Sequence, residues 1–307
     1  MKKTITSLLA VSLLSFGLVS GPARVFADAA PGDVIVSLGE DLTAEQKERL
    51  LQEMNVPENA LTTTVSNKEE HEYLGNYIPK NKIGTRSLSS SKITLGEKDT
   101  GIIVETQHIN WVTKEMYTNA LATAGVKDAE IYVTAPFDVS GTAALTGIVK
   151  AYEKSTGEKI PEETKQIANE EMVTTAKLGD ELGQDEAAAL MTAVKGEIAK
   201  DMPKNEDEMQ QVVQTQAEKL GLKLDDTQMN EVTTLFGDMK DIGINFKEIG
   251  PQIEEAKEKL KNFINSDEAK NFFEKAGDFV KKVFQAIVDF FNGLFNKDEK
   301  TDPNAQA

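Results

Sequence analysis

Apolar and polar residues alternate in short runs up to about residue 157; beyond it apolar residues return every three or four positions. The first period belongs to half-buried strands and the second to amphipathic helices, so the pattern predicts a chain of class α+β in two parts. Val34 to Leu38 reads as a strand, and Thr43 opens a helix with a capping box, because Gln46 stands three residues on. Leu50, Leu51 and Met54 form its apolar side, Pro57 stops it, and Leu61 to Val65 is a strand rich in β-branched residues. A short helix from Asn67 to about Asn76 precedes an irregular stretch with Pro79, Gly84 and the serine run 87–91. Ile93 to Leu95 and Gly101 to His108 read as two strands joined by the turn 96–101. Thr113 caps a helix that Gly125 ends, Ala129 to Ala135 is a strand, and Ser140 is expected to cap a helix running to about Ser155.

An offset of 70 residues aligns Thr43 with Thr113, Glu45 with Glu115, Val56 with Val126, Leu61 with Ile131 and Val65 with Ala135. Each copy reads strand, capped helix, strand. The expectation is a duplicated βαβ unit in a ferredoxin-like arrangement or a relative of it, helices sandwiched on a sheet, with right-handed crossovers. After residue 158 the apolar faces are Leu190, Val194 and Ile198, then Met209, Val212, Val213 and Leu220, then Met229, Val232, Leu235, Phe236 and Met239. Pro161 suits a first helical turn, and Pro251 is expected to open a helix through Ile253 and Leu260. Short links between such helices predict antiparallel neighbours in a bundle.

The pattern of the first 27 residues is different again. Lys2 and Lys3, the apolar stretch Leu8 to Val19 and the small-residue site Val25-Phe26-Ala27 before Asp28 read as a secretory signal peptide cleaved between Ala27 and Asp28. The apolar stretch, broken by Ser12, Ser15 and Gly17, falls short of the roughly 20 residues of a membrane span. The domains read as signal 1–27, α/β domain 28–157, helical domain 158–297 and a disordered tail 298–307. Removing Lys2, Lys3 and Arg24 leaves 31 basic against 51 acidic residues, a net charge of −20, which argues against a nucleic-acid partner. With no cysteine, no disulfide supports the exported fold.

Catalytic and metal motifs are sparse, and the sequence assigns no catalytic residue, metal ligand or cofactor. His71 and His108 are the two histidines, and neither has a second ligand at metal spacing. Ser89 to Lys92 fits S-x-x-K, but without the later motifs of that active site. The leading functional reading is a noncatalytic exported protein that binds a ligand, or an envelope protein or polymer as partner. Ser140-Gly141-Thr142 lies where a strand ends and a helix begins, so its amides are candidates to hold an anion with Arg86 completing the charge. An envelope-polymer hydrolase would have to use His71, Asp138 and Ser140. A third reading is a membrane-surface protein using the helix expected over 266–295. That helix places Phe272, Phe279, Val283 and Phe290 on one side, and eight of the chain's 13 phenylalanines lie between Phe263 and Phe295. Counted through Lys297, its five acids and five bases cancel, so packing on the protein's own helices is favoured, then self-association or a partner, with lipid third.

Several runs are distinctive: Val36 to Gly39, Glu70-His71 to Gly75, Ile83 to Ser87 with Ser89 to Ser91, Trp111-Val112-Thr113, Ala135 to Gly147, and Ala151-Tyr152-Glu153. Together they resemble the exported bacterial family catalogued as domain of unknown function 1002, densely from about residue 33 to 157. The resemblance implies a Gram-positive type of host and an extracytoplasmic protein, and brings no activity or catalytic residues with it.

Overall fold

The computed structural model describes residues 29–252. The expected signal segment with its Ala27–Asp28 junction, the helix expected over 266–295 with Phe272, Phe279, Val283 and Phe290, and the tail 298–307 lie outside the described residues.

Five strands, β1 (Val34–Gly39), β2 (Leu61–Val65), β3 (Ser90–Leu95), β4 (Ile102–Thr106) and β5 (Ala129–Thr134), form one mixed sheet in the order β2-β1-β3-β5-β4. β1 pairs parallel with β2 and β4 with β5, while β3 runs antiparallel to β1 and β5 between them. Both βαβ units of the sequence reading therefore exist, but the turn 96–101 does not close a hairpin, because β5 stands between β3 and β4. The cause lies at Asp128: Gly96 donates its amide to the Asp128 carbonyl at 2.6 Å and Gly101 donates to Asp128 Oδ1 at 3.0 Å, so the turn straddles the start of β5. A ferredoxin-like arrangement separates the two strands of each unit; here each pair lies side by side.

The sheet buries both faces over β1. Ile35, Ile93, Ile131 and Val104 face α4 (Lys114–Thr123) and α5 (Thr142–Thr156), whereas Val36 and Leu38 face Leu50 and Met54 of α1 (Ala44–Glu53). Strands β1, β2, β4 and β5 point the same way, and each βαβ unit steps the same way across the sheet. Helices α1 and α4 nevertheless lie on opposite faces, so the two crossovers have opposite hands, and the expectation of two right-handed ones is not met.

Capping follows the sequence where the partners are local. Thr43 and Gln46 form the capping box of α1, and Thr113 accepts from the Met116 amide to open α4. Helix α2 (Asn67–Leu74) opens on a further capping box, Ser66 with Glu69, and a single turn, α3 (Lys80–Ile83), follows it. At α5 the expectation fails: the N-cap is Gly141, at φ 93°, and no side chain caps the helix. Ser140 is diverted because its hydroxyl pairs with Thr142 Oγ1 at 3.1 Å and its carbonyl accepts from the Val112 amide.

The remaining helices are α6 (Glu162–Leu182), α7 (Gln184–Lys200), α8 (Glu206–Lys219), α9 (Asp226–Asp241) and α10 (Phe246–Gln252). Pro161 stands at the N-cap of α6, and Pro251 lies inside α10 rather than opening a helix. One buried apolar cluster continues from Ile93 and Ile131 through Met116 and Ile148 to Met172, Leu190 and Phe236. At the centre of this junction Lys195 of α7, 1% exposed, lies 2.6 Å from Glu171 of α6, whose side chain is fully buried. Lys195 also donates to the Asn119 carbonyl and to Thr123 Oγ1 of α4, at 2.8 and 2.7 Å.

Candidate functional site

The topology gathers three polar segments at one edge of the sheet. Because β3 runs against its neighbours, the serine-rich segment leading into it lies at the same edge as the exits of β1 and β5. Outside such strand ends is where α/β sheets commonly bind ligands. Asp41, just after β1, ties the serine segment down: its Oδ2 accepts from the Ser87 amide at 2.7 Å. Gly39 allows the approach, since a Cβ there would stand 2.7 Å from the Ser87 carbonyl carbon. From the other side, His71 Nε2 and the Gly84 carbonyl are 3.0 Å apart. That contact gives His71 a structural task.

Between these segments is a cleft of about 240 Å³ lined by Glu70, Arg86, Ser89, Phe137, Ser140, Gly141 and Thr142, among others. The four residues named from sequence as an anion site, Arg86, Ser140, Gly141 and Thr142, thus meet in one place. Arg86 lies over the ring of Phe137, 5.9 Å from its centroid, and makes no ion pair among the described residues. Opposite it, α5 begins without a side-chain cap; the Ala144 amide turns back to the Gly141 carbonyl at 3.1 Å, and the Thr142 and Ala143 amides are left open at the positive end of a 15-residue helix. Gly141 is required here: at φ 93° a Cβ would be strained, and it would stand 2.5 Å from Ile109 Cγ2 and against the Tyr117 hydroxyl. Tyr117 in turn donates to the Gly141 carbonyl at 2.5 Å and fixes the head of the helix.

Glu70 is the group that sequence reasoning missed. Only 1% exposed, it accepts a hydrogen bond from Thr142 Oγ1 at 2.5 Å and another from Asn67 Nδ2 at 3.3 Å. Burial pushes its carboxyl up to about 7, against the lowering effect of the Thr142 and Asn67 bonds. The one sequence signal was its spacing: Glu70 lies one helical turn before Leu74, which is fully buried, and shares that face of α2. Ser89, 3% exposed, also lines the cleft, and its hydroxyl has no hydrogen-bond partner among the described residues.

The three residues a hydrolase would need are each hydrogen-bonded to a different partner and not to one another. Asp138 Oδ1 is 3.0 Å from His108 Nδ1, His71 is held at Gly84, and Ser140 pairs with Thr142. Lys92, the last residue of the S-x-x-K match, turns to the opposite face and donates to the Met54 carbonyl at 2.7 Å. Among the described residues no group of three or more His, Cys, Asp or Glu could hold a metal ion, and no helix is long and apolar enough to cross a membrane.

No solved structure matches the chain. The chain is 51% identical over 292 residues, 95% of its own length and all of the relative's, to "Uncharacterized protein YpuA" of Bacillus subtilis (strain 168). A family model described as "Protein of unknown function (DUF1002)" matches residues 38–256, a span holding every residue of the cleft, and with that match the chain belongs to the DUF1002 family.

Proposed function

We propose that the protein is an exported, noncatalytic binding protein of the bacterial cell envelope whose cleft holds an anionic group of an envelope protein or polymer. The observation that carries this reading is the pairing, across one cleft, of an Arg86 without an ion pair among the described residues and the uncapped head of α5. Open helix amides and a guanidinium both stabilise an oxyanion, and here they line the same cleft. The binding class is favoured over hydrolysis because the acid-base and nucleophile candidates are bonded to other groups and not to one another. Export is argued from the first 27 residues, and N-terminal sequencing of the protein recovered from culture medium is expected to begin at Asp28. Sulfate and acidic cell-wall polymer are expected to raise the melting temperature of wild type and to leave Arg86→Ala unmoved. Equal stabilisation of both would sink the anion site.

A further inference from the structure

We propose that the cleft takes up its oxyanion together with a proton on Glu70, which reverses a chain of hydroxyls so that they donate to the ligand. The inference rests on the anion reading of the cleft and adds its chemistry of control. Glu70, Thr142 and Ser140 form a continuous line: Glu70 Oε1 to Thr142 Oγ1 is 2.5 Å and Thr142 Oγ1 to Ser140 Oγ is 3.1 Å. When Glu70 is a carboxylate it can only accept. Thr142 then donates inward to it and Ser140 donates inward to Thr142, so no hydrogen of the line reaches the cleft. When Glu70 carries a proton, its O–H donates to Thr142, Thr142 donates to Ser140, and the Ser140 hydrogen is released toward an anion at the head of α5. One proton thus removes a buried negative charge and supplies a donor.

The surrounding charges favour the same coupling. Asp41, on the loop after β1, is a second negative group acting on Glu70, and Arg86 on the serine segment is the cation of the cleft wall. Tyr117 from α4 stays neutral, its phenol pushed far up by burial and by Glu70. On α2 itself, Glu69 is bound to Lys150 and His71 to the Gly84 carbonyl, so neither neutralises Glu70. With Glu70 ionised, two carboxylates oppose one guanidinium and an incoming anion is repelled; with Glu70 protonated, Asp41 and Arg86 balance. Ser89 points independently to a ligand: its side chain is 3% exposed, lines the same cleft wall, and offers a hydroxyl that has no partner among the described residues.

Titration calorimetry of the secreted chain with sodium sulfate tests this, because sulfate itself does not change charge between pH 5.5 and 8.5. A site that binds only with Glu70 protonated loses about 30-fold in affinity across that range, and takes up close to one proton per sulfate at the alkaline end. Glu70→Gln, which keeps a permanent donor toward Thr142, is expected to bind with nearly constant affinity throughout. Ser140→Ala, which breaks the line without touching a buried charge, is expected to weaken binding at pH 5.5 and to flatten the profile. Constant affinity in wild type with no proton uptake would overturn the coupling while leaving the anion site standing. A Glu70→Gln profile as steep as wild type would move the titrating group elsewhere and overturn it too. Absence of sulfate binding at every pH would overturn the anion reading itself.

Discussion

Lys195→Met offers the sharpest test of how the helices are fixed to the sheet. In wild type the ammonium has three partners, the Glu171 carboxylate and the Asn119 and Thr123 oxygens, all within 2.8 Å. Burial alone would strip its proton and holds its pKa below the usual lysine range, while Glu171 opposes that loss. Methionine matches the apolar stem but leaves Glu171 buried with a single side-chain donor, Thr123 Oγ1 at 2.6 Å. Removing one partner of a buried pair costs about 3–5 kcal/mol, since the remaining charge is uncompensated or must take up a proton. For a domain of this size that is a fall in melting temperature of roughly 6–20 °C. The double variant Glu171→Leu with Lys195→Met removes both charges and is expected to recover most of the loss or to exceed wild type. Melting followed by circular dichroism for the two single variants and the pair gives the coupling directly. A Lys195→Met protein that melts within about 2 °C of wild type, less than 1 kcal/mol, would refute the buried-pair account.

Two further outcomes follow from the cleft. Glu70 holds its proton up to about pH 7 in the folded chain, whereas the unfolded chain gives it up near 4.5, so folded stability falls as pH rises through that window and levels off above it. The loss amounts to about 3 kcal/mol, and urea unfolding of Glu70→Gln against wild type at pH 4.5, 6 and 8 should show it as a difference that grows with pH. Gly141→Ala forces a left-handed alanine against Ile109 and Tyr117 and should cost at least about 2 kcal/mol by the same assay; a neutral result would contradict the backbone placement at the head of α5.

What was legible in the sequence is what is decided by neighbours in the chain. The Thr43–Gln46 capping box, the apolar spacing of α7 to α9 and the five strands follow from contacts a few residues apart. The strand order was not legible, because the placement of β5 between β3 and β4 depends on Asp128 holding a turn some 30 residues earlier. Ser140 has the composition of an N-cap, yet Ile109 and Tyr117, distant in sequence, leave room only for Gly141 there. Arg86 could be named with Ser140, Gly141 and Thr142 as one anion site, but the reason they meet, the antiparallel course of β3, was not legible. Glu70 looked like one more acid in a solvated helix, since only its face partner Leu74 hinted at burial.

The central claim, that the cleft at the head of α5 is an anion site, is tested most directly by a crystal structure of the protein grown with selenate, whose anomalous signal locates the ion. The account predicts a selenate within hydrogen-bond distance of the Thr142 and Ala143 amides and of the Arg86 guanidinium. Selenate bound elsewhere on the surface, with this cleft holding none and Arg86 turned to solvent, would contradict it.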